Sequence, residues 1–216
     1  MPHRSLARLL FLLLLLVAPD LGAKEFPPTG SATTGGDVQA PPGLPAMGSL
    51  SAALTPGETS RLRVSVGPDG ASVLQNTQPG YNIWHQPAPG PDYTLRLRVL
   101  SGIPLLQDRV TGAGLLLGAQ PDGSGFLAVV LAGNTLRVAR RNANGLSVPV
   151  SSATSTIRAG DWNELLVRVS GGNTMAVSVN GAEMVSMQVP ENLATGGAGL
   201  YIGGVGTAQL RDYAVQ

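Results

Sequence analysis

Tyr81, Trp84 and His85 fall within five residues, and no other stretch of this 216-residue chain gathers so much chemistry so closely. Aromatic faces stack on sugar rings, and a neutral imidazole offers one hydrogen-bond donor and one acceptor. Arg96 and Arg98 alternate along a run that reads as a strand, so both guanidinium groups project from one face. Such a pair suits hydroxyls or an anionic glycan group. Tyr81, Trp84, His85, Arg96 and Arg98 are therefore the candidate ligand-binding residues, with Arg168 on a similar strand face. Plainer roles compete with these. Trp84 reads also as a core residue covering the open end of a sandwich, and the three arginines as solvated sheet-face charges.

Catalytic chemistry is harder to place. The chain has no cysteine, which excludes thiol nucleophiles, thiolate metal sites and disulfides. Its only histidine outside the first residues is His85, and Gly-x-Ser-x-Gly is absent; Gly123-Ser124-Gly125 reads as a hairpin turn. The acidic residues are scattered. The close pair Asp161 and Glu164 is spaced by three, which puts the two carboxylates on opposite faces of an extended strand, unable to flank one bond. No catalytic residue, cofactor or metal is expected. A cation could find Asp122 or Asp108 beside loop carbonyls, but no Asp-x-Asp cluster offers the oxygen cage that calcium takes.

Composition narrows the partners. Residues 1–23 read as a secretory leader: Arg4 and Arg8 precede the apolar Leu9–Ala18, and Leu21-Gly22-Ala23 offers small residues for cleavage. An apolar core of about 10 residues is too short for a bilayer, which takes roughly 20. The remainder carries twelve basic and twelve acidic residues, so it has no electrostatic reason to seek nucleic acid or anionic lipid. All its basic residues but Lys24 are Arg, and with abundant Ala and Gly this resembles the coding bias of a high-GC bacterium. Residues 24–59 read as a linker, rich in Pro, Gly, Ser and Thr with few large apolar groups.

From residue 60 to 216 the pattern is of strands. The clearest part is 158–189. Leu165, Val167 and Val169 alternate with Glu164, Leu166, Arg168 and Ser170, and Met175, Val177 and Val179 with Ala176, Ser178 and Asn180; Asn180-Gly181 is a two-residue hairpin turn. Leu95, Leu97 and Val99 alternate likewise, while Ala113–Leu117 is apolar on both faces and suits a central strand. Tyr81, Trp84 and His85 fall in a loop crowded with Pro and Gly. About eleven or twelve strands with turns every ~8–12 residues predict an all-β, antiparallel jelly-roll sandwich.

The order Gly160-Asp161-Trp162-Asn163, apolar strand, turn, Val179-Asn180-Gly181, strand, glycine-rich loop, Gly199-Leu200-Tyr201-Ile202 and final strand resembles the concanavalin A-like lectin/glucanase superfamily. Asp92–Arg96 and Gly112–Gly118 resemble its sheet strands. The likeness is strongest to the laminin-G-like and 3-keto-disaccharide-hydrolase-like branches and spans residues 60–216. It implies that Trp162 plugs the core. The Glu-x-Asp-x-Glu of the superfamily's glucanases is missing, which argues against that activity. The expected function is a non-catalytic, exported binding module, periplasmic or extracellular, for a glycan or cell-envelope polysaccharide. The hydrolase-like branch implies instead an enzyme on glycosides or 3-keto-disaccharides, with His85, Asp92 and Asp161 as its scattered groups. A third reading is a structural or adhesive domain that binds an envelope protein.

Overall fold

The computed structural model describes residues 57–58, 62–107 and 109–216. The leader read at 1–23, the linker apart from Gly57–Glu58, and Asp108 lie outside these. The described residues form fourteen strands and no helix. The first seven are β1 (Gly57–Glu58), β2 (Leu62–Val66), β3 (Ser72–Asn76), β4 (Tyr81–Pro87), β5 (Tyr93–Ser101), β6 (Gly112–Ala119) and β7 (Phe126–Ala132). The others are β8 (Thr135–Asn142), β9 (Gly145–Ala153), β10 (Asn163–Ser170), β11 (Thr174–Val179), β12 (Ala182–Gln188), β13 (Gly197–Gly203) and β14 (Gly206–Val215).

They make two antiparallel sheets. One has eight strands in the order β1-β2-β3-β14-β5-β10-β11-β12, the other six in the order β4-β13-β6-β7-β8-β9. Chain neighbours are often not sheet neighbours, because β4 leaves one sheet for the other and β14 returns between β3 and β5. Such switching joins two sheets into a jelly roll. The alternation in the sequence supplies the interior. Leu95, Leu97, Val99, Leu165, Val167, Val169, Met175, Val177 and Val179 point inward from the eight-stranded sheet. Leu115, Leu117, Val129, Leu131, Leu200 and Ile202 meet them from the six-stranded one. Each such side chain, fully buried, contributes about 1.5–3 kcal/mol of hydrophobic stabilisation.

The Asn180-Gly181 turn is as read. Asn180 and Gly181 have φ of 51° and 82°, the left-handed pair of a type I′ hairpin. Asn180 also fastens the hairpin to its surroundings. Its amide donates to Thr156 O and Asn163 Oδ1, each at 2.8 Å, while its Oδ1 accepts from the Glu164 N–H at 2.9 Å. Trp162 departs from expectation. It lies one residue before the inward-facing Asn163, so it turns to the outer side of its sheet, half-buried beneath Arg211, whose guanidinium carbon stands 4.1 Å from the ring centroid. The interior position goes to Asn163, whose amide closes the turn by donating to Arg158 O and Asp161 O. No helix among the described residues is long and apolar enough to cross a membrane.

Candidate functional site

The segment read as a loop around Tyr81 is the edge strand β4. It pairs along its length with β13, from Tyr81 opposite Gly203 to Pro87 opposite Gly197. That partner lies more than a hundred residues downstream, so the local sequence does not reveal it. Pro87 is tolerated because it ends an edge strand, where a missing N–H costs little. Strand alternation then separates the aromatic candidates. Trp84 turns inward and packs in the core at 5% exposure. Tyr81 and Ile83 turn outward, and His85 by the same period.

This outer face of the six-stranded sheet carries a second apolar layer, built from Leu116, Phe126, Ala128, Val130, Ala139 and Tyr201 with Tyr81 packed against it. The Tyr81 ring stacks on Tyr201 with centroids 5.7 Å apart and planes 17° from parallel, and meets Phe126 edge-on at 5.4 Å. Two strands separate β4 from β7, roughly 14 Å at the usual inter-strand spacing. Rings from strands so far apart touch only if the sheet curls and its outward side chains converge. The face is concave.

Glycine makes room for these rings. A Cβ on Gly203 would stand 2.5 Å from Tyr201 Oη, the hydroxyl that donates to Val110 O at 3.0 Å. A Cβ on Gly197 would stand 2.7 Å from Cγ of His85 and closer still to Nδ1, so the imidazole lies directly over that glycine. Burial lowers the His85 pKa below its usual 6.5, which keeps the ring neutral at pH 7. Burial raises the Tyr81 phenol above its ordinary value, against a smaller lowering by the Arg141 cation. The exposed part of the aromatic layer is thus an uncharged ring edge and face.

Three arginines of β8 divide their roles by parity. Arg137 points outward and is 3% exposed. Its Nη1 donates to Leu106 O at 2.6 Å and Arg109 O at 2.7 Å, which ties the segment before β6 across the outer side of β8. Thr111 supports that segment from its own base, donating to Pro104 O at 2.7 Å. Arg140 points the other way and pairs with Glu191. Arg141 faces outward opposite Phe126, with its guanidinium carbon 5.7 Å from the Tyr81 centroid.

The remaining candidates lie elsewhere. Arg96 and Arg98 do share a face, as the spacing predicted, but it is the outer face of the eight-stranded sheet. There Arg96 binds Glu164 Oε2 through Nε at 2.9 Å and Nη2 at 2.5 Å, and Arg98 approaches Asp212 at 3.8 Å. Arg168 is exposed on the same side of β10. The five ligand-binding candidates therefore do not converge: Tyr81 and His85 share the concave face, Trp84 is inside, and the arginines are on the far sheet. Asp92 and Asp161 lie at opposite ends of the β5–β10 pair, with Asp92 Oδ1 accepting from the Gly171 N–H at 2.8 Å. Asp122 accepts from the Ser124 N–H at 2.9 Å within its turn, and its pKa is lowered by hydrogen bonding to the Ser124 side chain first and to the Ser124 backbone second. No group of three or more His, Cys, Asp or Glu side chains among the described residues could hold a metal ion.

The sequence does not single out Phe126, Arg137 or Arg141, and it leaves Tyr201 without a direction. Tyr201 alternates with Leu200 and Ile202 in a strand apolar on both faces, where periodicity gives no direction. Arg137 and Arg141 gave a faint signal, since Leu136 and Val138 set the inward parity of β8 and leave both arginines on the other side.

No curated protein sequence matches the chain. Among solved structures, the carbohydrate binding module CBM66 from Bacillus subtilis is similar at a TM-score of 0.54 and 16% identity, covering 74% of this chain and 94% of that one. A protein of unknown function with a galectin-like fold, also from Bacillus subtilis, is similar at a TM-score of 0.52 and 14% identity, over 72% of this chain and 87% of its own. At such identities the likeness concerns the fold, a concanavalin A-like sandwich. The family model for the laminin G domain matches residues 109–216, from the segment held by Arg137 through β14, and this chain belongs to the laminin G domain family.

Proposed function

We propose that this domain is a non-catalytic carbohydrate-binding module, exported by the general secretory route, whose ligand lies on the concave face of the six-stranded sheet. The observation that carries the reading is the Tyr81 ring, half-buried and stacked on Tyr201, with the Arg141 guanidinium carbon over it at 5.7 Å from the centroid. A ring held by packing on one side presents flat apolar area at little entropic cost, which is what a pyranose face needs. His85 continues the same side of β4 with a neutral donor and acceptor. The shared architecture of the Bacillus subtilis carbohydrate binding module supports the choice of ligand class. Export from the cytoplasm rests on the leader read at residues 1–23, and places the domain in the periplasm or outside the cell.

The test is a glycan array probed with the purified chain, followed by titration of each hit. Saturable binding that Tyr81→Ala abolishes, in a protein whose urea midpoint falls but which still unfolds cooperatively, is the expected result. An array silent for a folded protein would overturn the reading and turn attention to a protein partner.

A further inference from the structure

Resting on that reading, we propose that the concave face selects saccharides that carry a carboxylate, the uronic acids, and that Arg141 is the residue that recognises it. The six strands of this sheet contain no Asp or Glu. Their charged side chains are Arg137, Arg140 and Arg141, all on β8. Arg140 points inward to Glu191, and Arg137 is occupied by two backbone carbonyls. Arg141 is different. Its guanidinium makes no hydrogen bond or ion pair among the described residues, and its neighbour is the face-forming Tyr81. Its Nε is buried without an acceptor, as is that of Arg137, but unlike Arg137 it has no bond at its other nitrogens to compensate. Of the acidic residues near this strand end, Glu191 is paired with Arg140, and Asp122, in the β6–β7 turn, takes the Ser124 N–H.

A buried donor left unmade is costly, and a guanidinium is the side chain whose planar fork matches a carboxylate with two parallel hydrogen bonds. An acidic sugar stacked on Tyr81 supplies both missing halves: its ring covers the aromatic face, and its carboxylate completes Arg141. Among the described residues of this face, only Arg141 has a guanidinium with no hydrogen bond at all, since Arg137 keeps two carbonyl bonds on Nη1 and lacks an acceptor only at Nε. One such group fits a planar monoanion better than a phosphate dianion. On the other sheet, Arg96 and Arg98 have carboxylate neighbours from their own chain, and Arg168 is exposed to solvent with no aromatic ring beside it, so neither arrangement joins an unmade guanidinium to a stacking surface.

The experiment titrates the full chain with tetrasaccharides of polygalacturonate and alginate, each beside its carboxyl-reduced, neutral form. The expected result is that the acidic form of at least one binds about tenfold to hundredfold more tightly than its neutral form, a preference that weakens with salt. Arg141→Leu should erase the preference, and Arg141→Lys should keep only part of it. Equal affinity for acidic and neutral forms in the unaltered chain overturns the inference, whatever the variants do, and leaves carbohydrate binding standing. Binding of neither form, with hits among neutral glycans on the array, also overturns it alone. A silent array removes the underlying reading as well.

Discussion

Adding one methyl group at Gly197 tests whether His85 occupies the place that the glycine leaves open. An alanine Cβ there would lie 2.7 Å from His85 Cγ and 3.0 Å from His85 Cβ, against the 3.5–4.0 Å of an ordinary carbon contact. The ring must move by about 1 Å or change rotamer, and overpacking of this kind costs about 1–3 kcal/mol. Most of the cost should vanish when the ring is absent, because only the milder contact with the residue-85 Cβ remains. Gly197→Ala alone should thus destabilise by about 2 kcal/mol and by well under 1 kcal/mol in a His85→Ala background. The assay is urea unfolding of the four proteins of the cycle, with midpoints compared at common slope. A coupling of more than about 1 kcal/mol is expected. Additivity within about 0.5 kcal/mol would refute the placement of the imidazole over Gly197, and with it His85 as part of the concave face.

Three further outcomes follow from the geometry. Arg137→Met orphans the carbonyls of Leu106 and Arg109, so it should cost about 2–3 kcal/mol and speed amide exchange across 103–110 while sparing β10–β12; unchanged exchange there would show the segment is held otherwise. His85 is neutral in the folded chain because burial lowers its pKa, so the unfolded chain takes up the proton first as pH falls through about 6.5. Its contribution is intact above that pH and lost below it, and His85→Gln should lose less stability than the parent between pH 7.5 and 5.5; equal losses would assign the effect to other groups. Asn180→Ala removes three hydrogen bonds and puts a side chain unsuited to φ 51° in the turn, so urea unfolding should show a loss of about 2–4 kcal/mol, and Asn180→Asp, which tolerates that φ, less.

The sandwich was legible in the sequence wherever one sheet face is wet. In β5, β10 and β11 the outer neighbours of the inward set are mostly polar or small (Thr94 and Arg96 about Leu95, Ala176 and Ser178 about Val177), with Leu166 in β10 the exception, so a period of 2 survives and the inward set can be read directly. In β6, β7 and β13 both faces are buried. There the period disappears, and with it the means of telling Tyr201 from Leu200. β4 failed for a different reason. Its three polar residues sit on an edge strand whose ladder comes from β13, so neither hydropathy nor turn chemistry marks it, and Pro87 with the flanking Pro79 and Pro89 argues for loop. The candidate site consists largely of those strands, so Tyr81 and His85 could be picked by residue type while Phe126, Tyr201 and Arg141 could not.

That coincidence has a physical basis. A sheet face that is to hold a ligand in a curved trough must be apolar in its layer next to the backbone, as this one is at Leu116, Ala128 and Val130, and must give up side chains where rings are to lie, as at Gly197 and Gly203. Both demands erase the amphipathic pattern by which strands are found. What remains visible is chemistry out of keeping with its strand: an imidazole and a phenol beside prolines, and arginines that follow Leu136 and Val138 on the opposite parity. In an all-β chain of near-zero net charge, the distribution of carboxylates separates the two sheets better than the distribution of arginines. Both outer faces carry guanidinium groups, but Glu164 and Asp212 stand beside Arg96 and Arg98, while none of the described acidic residues stands beside Arg141. On the six-stranded sheet, a half-buried guanidinium with no carboxylate partner beside a stacked ring, rather than the most aromatic segment, marks the face where a partner from outside the chain fits.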